Sequence, residues 1–220
     1  LPYKNGYLST VCCDIAILKY AKAEKMLALI MKIIGGLLFI CIVWNRTTLV
    51  MKYNSAWFLI PDTFCGISSL ILSLALLIGK RNNFVFHFIC YLGFIGGLIV
   101  LVYPDFIGQA SSIFYPATIS GLLHHTIMFY VIMLMTITKY FVPTIKKWYV
   151  LPLGLCCVMT FGIFEITALG FDDAMQIFSP LLPDTILTWW FCGILLLSFA
   201  YITMLVFEYF NVWKKREKQV

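Results

Sequence analysis

Residues Ala117–Thr138 read ATISGLLHHTIMFYVIMLMTIT, a run without a single Asp, Glu, Lys or Arg. An α-helix rises about 1.5 Å per residue, so this run reaches across the roughly 30 Å hydrocarbon core of a bilayer. The apolar residues are continuous and do not alternate, which is the pattern of a spanning helix and not of a barrel strand. In a medium without water, a helix also satisfies its own backbone groups. Two adjacent histidines, His124 and His125, interrupt the apolar surface.

Five other stretches have the same character: Met26–Trp44, Trp57–Gly79, Phe84–Tyr103, Trp148–Leu169 and Ile186–Tyr209. The expected fold is therefore all-α, a polytopic transmembrane bundle of six spanning helices. Composition agrees with this. Hydrophobic residues make up 62% of the 220, charged residues 12%, and the mean hydropathy is +0.94. A soluble domain is typically about 45–50% apolar and about 25% charged. Secreted disulfide scaffolds, disordered chains and cytosolic enzymes are thereby excluded, and no linker is long enough to hold a soluble domain.

The chain divides into an N-terminal apolar and basic segment (1–25), a helical membrane domain (26–211) and a basic tail (212–220). Within the first segment, Tyr7–Leu18 (YLSTVCCDIAIL) is apolar but too short to span. It reads as a truncated seventh helix or as an interfacial one. It does not read as a signal peptide, because most nearby cations follow it.

The net charge of +6 does not point to nucleic acid. Most cations sit beside span ends: Lys19, Lys22 and Lys25; Lys139, Lys146 and Lys147; Lys214, Lys215, Arg216 and Lys218. With Lys80 and Arg81 they mark one side, the cytoplasmic one by the positive-inside rule, with some attraction to anionic lipid. Both terminal basic segments are then cytoplasmic. The stretch Pro104–Pro116 carries only Asp105, and the stretch after Leu169 carries Asp172, Asp173 and Asp184 without a cation, so both lie outside. Arg46 and Lys52, between the first two stretches, run against this alternation. Eight cysteines occur without CxxC or Cys/His zinc spacing, so no metal site is expected.

This orientation places Cys65 eight residues inside a helix starting at Trp57, roughly 12 Å deep. His125 lies equally far inside its own helix, and Glu165 is near the outer end of another. Thr63, His124 and Asp172 fall near the same level or above it. Ionisable groups within spans are costly and usually face the bundle interior or a cavity. Pro61, Cys65, Ser68, Ser69 and Ser73 share one broad helix face. A cysteine near a histidine can yield a thiolate that attacks an acyl carbonyl, with the histidine protonating the leaving group and a carboxylate such as Glu165 or Asp172 orienting the ring. The competing reading makes Cys65 core packing and His125 a partner of a backbone carbonyl or a serine. For His124, an interhelical hydrogen bond competes with catalysis. Gly93 and Gly97 suggest a close helix contact. Trp189 and Trp190 read first as an interfacial aromatic belt, and Lys32 and His87 as groups able to snorkel.

Several motifs taken together resemble the YwaF-like family of bacterial membrane proteins. Ile60–Tyr103, IPDTFCGISSLILSLALLIGKRNNFVFHFICYLGFIGGLIVLVY, is followed by PDF. Pro61 and Cys65 match a helix opening like LPLHLCD, and Pro104 and Asp105 match a TPD-like turn. Ser120–Tyr130, SGLLHHTIMFY, resembles a helix with an F-x-S-H-like or Q-H-x-x-L-Y-like motif, which places His125 on the family histidine. Gly170–Met175 (GFDDAM) resembles a G-x-N-Y-M loop, and Thr188–Trp190 (TWW) a P-W-Y helix start. Thr63, Gly66 and Asp172 replace the family's usual His, Asp and Asn. A related animal membrane protein is an acyltransferase that remodels ether phospholipids with a cysteine acyl carrier and a histidine. The resemblance implies those two roles for Cys65 and His125. The expected location is a bacterial cell membrane and the expected partner a phospholipid or lysophospholipid; the chemistry requires no soluble cofactor, and no nucleic-acid partner is expected.

The expected function is acyl transfer between lipids through a Cys65 thioester. Thr63, His124, Glu165, Asp172, Trp189 and Trp190 are the supporting or substrate-binding candidates. Two other classes remain open. One is the substrate-binding membrane subunit of a small-molecule importer, with a membrane-protein partner. The other is a non-catalytic lipid-binding protein.

Overall fold

The computed structural model describes residues 5–103, 112, 114–181 and 184–217, and the side chains of 23–103, 112, 114–181 and 184–210. The described residues form helices and no strand. In chain order these are α1 (Asn5–Tyr53), α2 (Phe64–Ile78), α3 (Phe86–Val102), α4 (Pro116–Ile137), α5 (Val150–Leu169) and α6 (Trp189–Glu217), with short 3-10 turns at Ala56–Leu59 and Ile145–Lys147. The Pro104–Asp105 turn and the side chains of Lys19, Lys22 and the four tail cations lie outside the described residues.

Among the described residues, four helical segments are long and apolar enough to cross a membrane: Ala23–Tyr53, Pro116–Ile137, Ile145–Leu169 and Trp189–Phe210. The other two expected spans are apolar but shorter. Helices α2 and α3 have 15 and 17 residues, about 22 and 26 Å of rise against a core of roughly 30 Å. The all-helical bundle stands, and the expectation of six full-length spans becomes six apolar helices of which four have full spanning length.

Pro61 and Thr63 explain why α2 starts late. Proline lacks an N–H and holds the residue before it extended, and Ile60 is extended at φ −81°, ψ 130°. Thr63 then caps the helix, its Oγ1 accepting from the Gly66 N–H at 3.2 Å. Cys65 is thus the second residue of α2. The 12 Å depth reckoned from a helix beginning at Trp57 does not hold.

Helix α1 departs in the other direction. Its 49 residues would measure roughly 73 Å. Tyr7–Leu18 runs without a break into the first apolar stretch, and the helix continues past Trp44 to Tyr53. Arg46 is therefore a helix residue and not a loop cation, and it is buried.

Helix α4 is the centre of the bundle and packs against α1, α2 and α3. Half of its apolar window is buried, against 22–28% for the other three long segments. The outer helices turn Ile40, Leu153, Ile163 and Leu205 outward, as a bilayer allows. Gly93 and Gly97 do form a close contact of α3 with α4. A Cβ at Gly93 would lie 3.0 Å from Met128 Sδ, and one at Gly97 2.9 Å from Phe129 Cβ. At the opposite end of α3, Asn82 joins two loops. Its N–H donates to the Tyr140 carbonyl at 2.9 Å. Its Oδ1 accepts from the Val142 N–H at 3.3 Å and pairs with His87 Nε2 at 3.2 Å. His87 is fully buried with its ring edge against Phe141, so it does not snorkel.

Candidate functional site

Cys65 from α2 and His125 from α4 line one cavity of about 490 Å³. Its wall is mainly aliphatic, built from Leu92, Ile95, Ile99 and Val100 of α3, Leu155 of α5, and Leu195 and Leu196 of α6. The polar side chains are few: Thr63, Cys65, His125, Gln176 and Cys192, with Trp189 beside them. Trp189 and Leu195 line the cavity and are also surface-exposed, so the space reaches the apolar exterior along α6.

Gly96 makes room for the thiol. A Cβ there would lie 2.8 Å from Cys65 Sγ, so α3 can pass this close only without a side chain. Cys65 also stands in the first turn of α2, where backbone N–H groups have no acceptor within the helix. Thr63 satisfies one of those donors, the Gly66 N–H, through its Oγ1, and its carbonyl accepts the first regular helix bond, from the Ile67 N–H at 3.0 Å. The N–H groups of Phe64 and Cys65 precede them in the same turn.

His125 has a fixed orientation. Its Nδ1 lies 2.7 Å from the Gly121 carbonyl. A carbonyl only accepts, so the neutral ring carries its proton on Nδ1 and leaves Nε2 basic. His124 points elsewhere, as adjacent helix residues must. Its Nδ1 lies 3.0 Å from Ser69 Oγ, and that hydroxyl is also 3.3 Å from Met128 Sδ. The bond crosses from α4 to α2. His124 does not line the cavity, but its ring packs against that of His125 at 4.0 Å between centroids.

Glu165 is placed differently from what the sequence suggested. Glu165 is fully buried on α5, and neither of its carboxylate oxygens has a hydrogen-bond partner among the described residues. It does not orient an imidazole, a task that falls to the Gly121 carbonyl. Glu165 instead lies within electrostatic reach of Asp62 and Arg46. Arg46 Nη1 bonds Asp62 Oδ1 at 2.9 Å, with side-chain exposures of 7% and 24%. The Asp62 carbonyl accepts from the Met175 N–H at 2.8 Å, which ties the α5–α6 connection to the start of α2. Asp172 is exposed and does not line the cavity. Its neighbour Asp173 folds the connection by accepting from the N–H groups of Phe178 and Ser179 at 3.0 and 3.1 Å. Of the two tryptophans, Trp189 reaches the cavity and Trp190 does not.

Sequence reading missed Arg46, Gln176 and Cys192. Arg46 looked like a loop cation because the hydropathy dips at Asn45 and Arg46. The available signal was an Arg within one helix length of an Asp that opens the next. Gln176 and Cys192 carried no local signal. Among the described residues, no three His, Cys, Asp or Glu side chains gather where they could hold a metal ion.

The chain belongs to the TMEM164 family, a membrane-protein family whose model it matches over residues 7–168. No curated protein and no solved structure matches it.

Proposed function

We propose that this member of the TMEM164 family transfers fatty acyl groups between membrane lipids through a thioester on Cys65. The observation that carries the reading is the shared cavity. Cys65 and His125, brought in by separate helices, line one apolar space that reaches the bundle's exterior. An acyl chain suits such a wall. The likeness of the Cys65 and His125 motifs to the YwaF-like pattern, and to its ether-phospholipid acyltransferase relative, supports the same assignment.

The chemistry runs in two balanced halves. His125 Nε2 takes the Cys65 proton, and Sγ bonds to the carbonyl carbon of an acyl-phospholipid ester. As that adduct collapses, the ester C–O bond breaks and His125 returns the proton to the departing lipid hydroxyl. A lysophospholipid hydroxyl then gives its proton to His125 and attacks the thioester. The C–S bond breaks and the proton passes back to Cys65. The N–H groups of Phe64 and Cys65, in the first turn of α2, would stabilise charge on the carbonyl oxygen in both halves.

The basic segments put the start of the membrane domain and the tail on the cytoplasmic side, with the cavity in the opposite half of the bundle. Burial of Arg46 in an ion pair removes one of the two cations that opposed this orientation.

The test is intact-protein mass spectrometry after incubation in mixed phospholipids, with and without neutral hydroxylamine. The expected result is a hydroxylamine-labile fatty-acyl mass that maps to Cys65 and is absent in Cys65→Ala. An unmodified Cys65 with full transfer by Cys65→Ala overturns the mechanism. A co-purified polar metabolite on an unmodified chain points to an importer subunit instead.

A further inference from the structure

Arg46 is the least expected residue near the cavity. An ionised side chain buried in a membrane bundle is costly and tends to be retained for a task. Its guanidinium is held on two sides. Nη1 pairs with Asp62 at 2.9 Å. Nη2 sits over the Gly66 backbone, where a Cβ would collide with it. Gly66 follows Cys65 directly, and Asp62 precedes the cap Thr63, so one side chain of α1 grips the start of α2 from both sides of the thiol. Among the described residues, its Nε–H has no acceptor and the buried carboxylate of Glu165 has no donor. These two orphan groups are complementary and lie within electrostatic reach of one another.

We propose that Arg46 is a positioning residue for Cys65: it fixes the first turn of α2 and supplies fixed positive charge beside the sulfur when that sulfur is anionic. The proposal rests on the acyl-transfer reading for its purpose, but its test does not. The geometry favours arginine over lysine, because the planar fork can engage Asp62 on one edge while its remaining donors face Gly66 and Glu165. The charge of Arg46 also acts on Cys65, His124 and His125. The titratable groups around the thiol are therefore Arg46 from α1, Asp62 from the turn before α2, His124 and His125 from α4, Glu165 from α5 and Cys192 from α6.

The experiment measures N-ethylmaleimide labelling of the Cys65 peptide by mass spectrometry across pH in detergent-solubilised full chain, beside hydroxylamine-labile acylation. In Arg46→Gln, Cys65 is expected to label about tenfold more slowly at a fixed pH, the change expected for one unit in the thiol's titration. It should need a more alkaline pH to reach the wild-type rate, and Arg46→Lys should recover part of the loss. Gly66→Ala displaces the guanidinium without removing it, so it should slow labelling in the same direction and covers the case in which Arg46→Gln fails to fold. Wild-type labelling rate and pH profile in either folded variant overturn the proposal. If those profiles are unchanged while Cys65→Ala abolishes acylation, the role of Arg46 is wrong and the acyl-transfer reading stands. If Cys65→Ala keeps full transfer while Arg46→Gln still slows labelling, the reverse holds.

Discussion

His125 Nδ1 lies 2.7 Å from the carbonyl of Gly121, one turn back along α4. This short bond decides which ring nitrogen is available. It occupies the donor of the neutral imidazole and leaves Nε2 as the base.

Two substitutions of His125 should therefore separate orientation from chemistry. Asparagine places an amide near the position of Nδ1 and can keep the bond to Gly121. Glutamine reaches further, toward the position of Nε2. Neither offers a base at neutral pH, so both should lower Cys65 acylation by about 10²–10⁴-fold, the usual contribution of a general base. Asparagine should retain more thermal stability than glutamine, measured by unfolding in detergent. Wild-type acylation in His125→Asn would remove His125 from the mechanism.

Gly96 should be more important for reactivity than for stability. Its added Cβ would stand 2.8 Å from Cys65 Sγ, so Gly96→Ala forces the sulfur or α3 to move. A displacement near 1 Å can cost about 100-fold in rate, while overpacking costs about 1–3 kcal/mol of stability. Gly93→Ala meets the flexible Met128 and Ile132 side chains instead and should keep most of the activity. Equal acylation rates in the two variants would contradict the close approach of α3 to the thiol.

The Ser69–His124 bond holds α2 against α4. Ser69→Ala leaves a buried imidazole nitrogen without its partner, at a cost of about 1–3 kcal/mol. Thermal melting should fall, while the rate of Cys65 acylation per folded molecule stays within about threefold of wild type. A larger fall in rate at unchanged melting temperature would move His124 into the reacting set.

Gly170 ends α5 in the left-handed region at φ 73°. Its N–H bonds back to the Glu165 carbonyl, which also accepts from Phe171 at 3.2 Å. An L-residue there costs about 1–2 kcal/mol. A Cβ at this position meets nothing within 4 Å, so Gly170→Ala should lower melting through backbone strain alone. Gly170→Asn should lose less, since asparagine tolerates this conformation better. Identical melting of both variants with wild type would mean the cap is not rigid.

Hydropathy alone made the architecture legible, because a bilayer demands long apolar helices whatever they pack against. The reading of Ala117–Thr138 lies one residue from α4 at each end. The small-residue spacing of Gly93 and Gly97 likewise announced a close contact. The break before α2 was only half legible. Pro61 and Thr63 were visible, but the apolar run around them hid the start of the helix. The candidate pair Cys65 and His125 came from chemistry and depth along two helices, and nothing local could say that both face one cavity.

Tertiary structure decided what each polar group does. Arg46 became an interior ion pair because Asp62 lies opposite it after the chain turns. Glu165 was set apart from both imidazoles because α5 delivers it to the Arg46–Asp62 side. Asp172 was left outside the cavity by a connection that Asp173 folds. The sequence determined which segments leave water, since transfer into lipid depends mainly on each segment's own composition. Pairing of buried charges depends on contacts between segments far apart in the chain, and only the packed bundle supplies those.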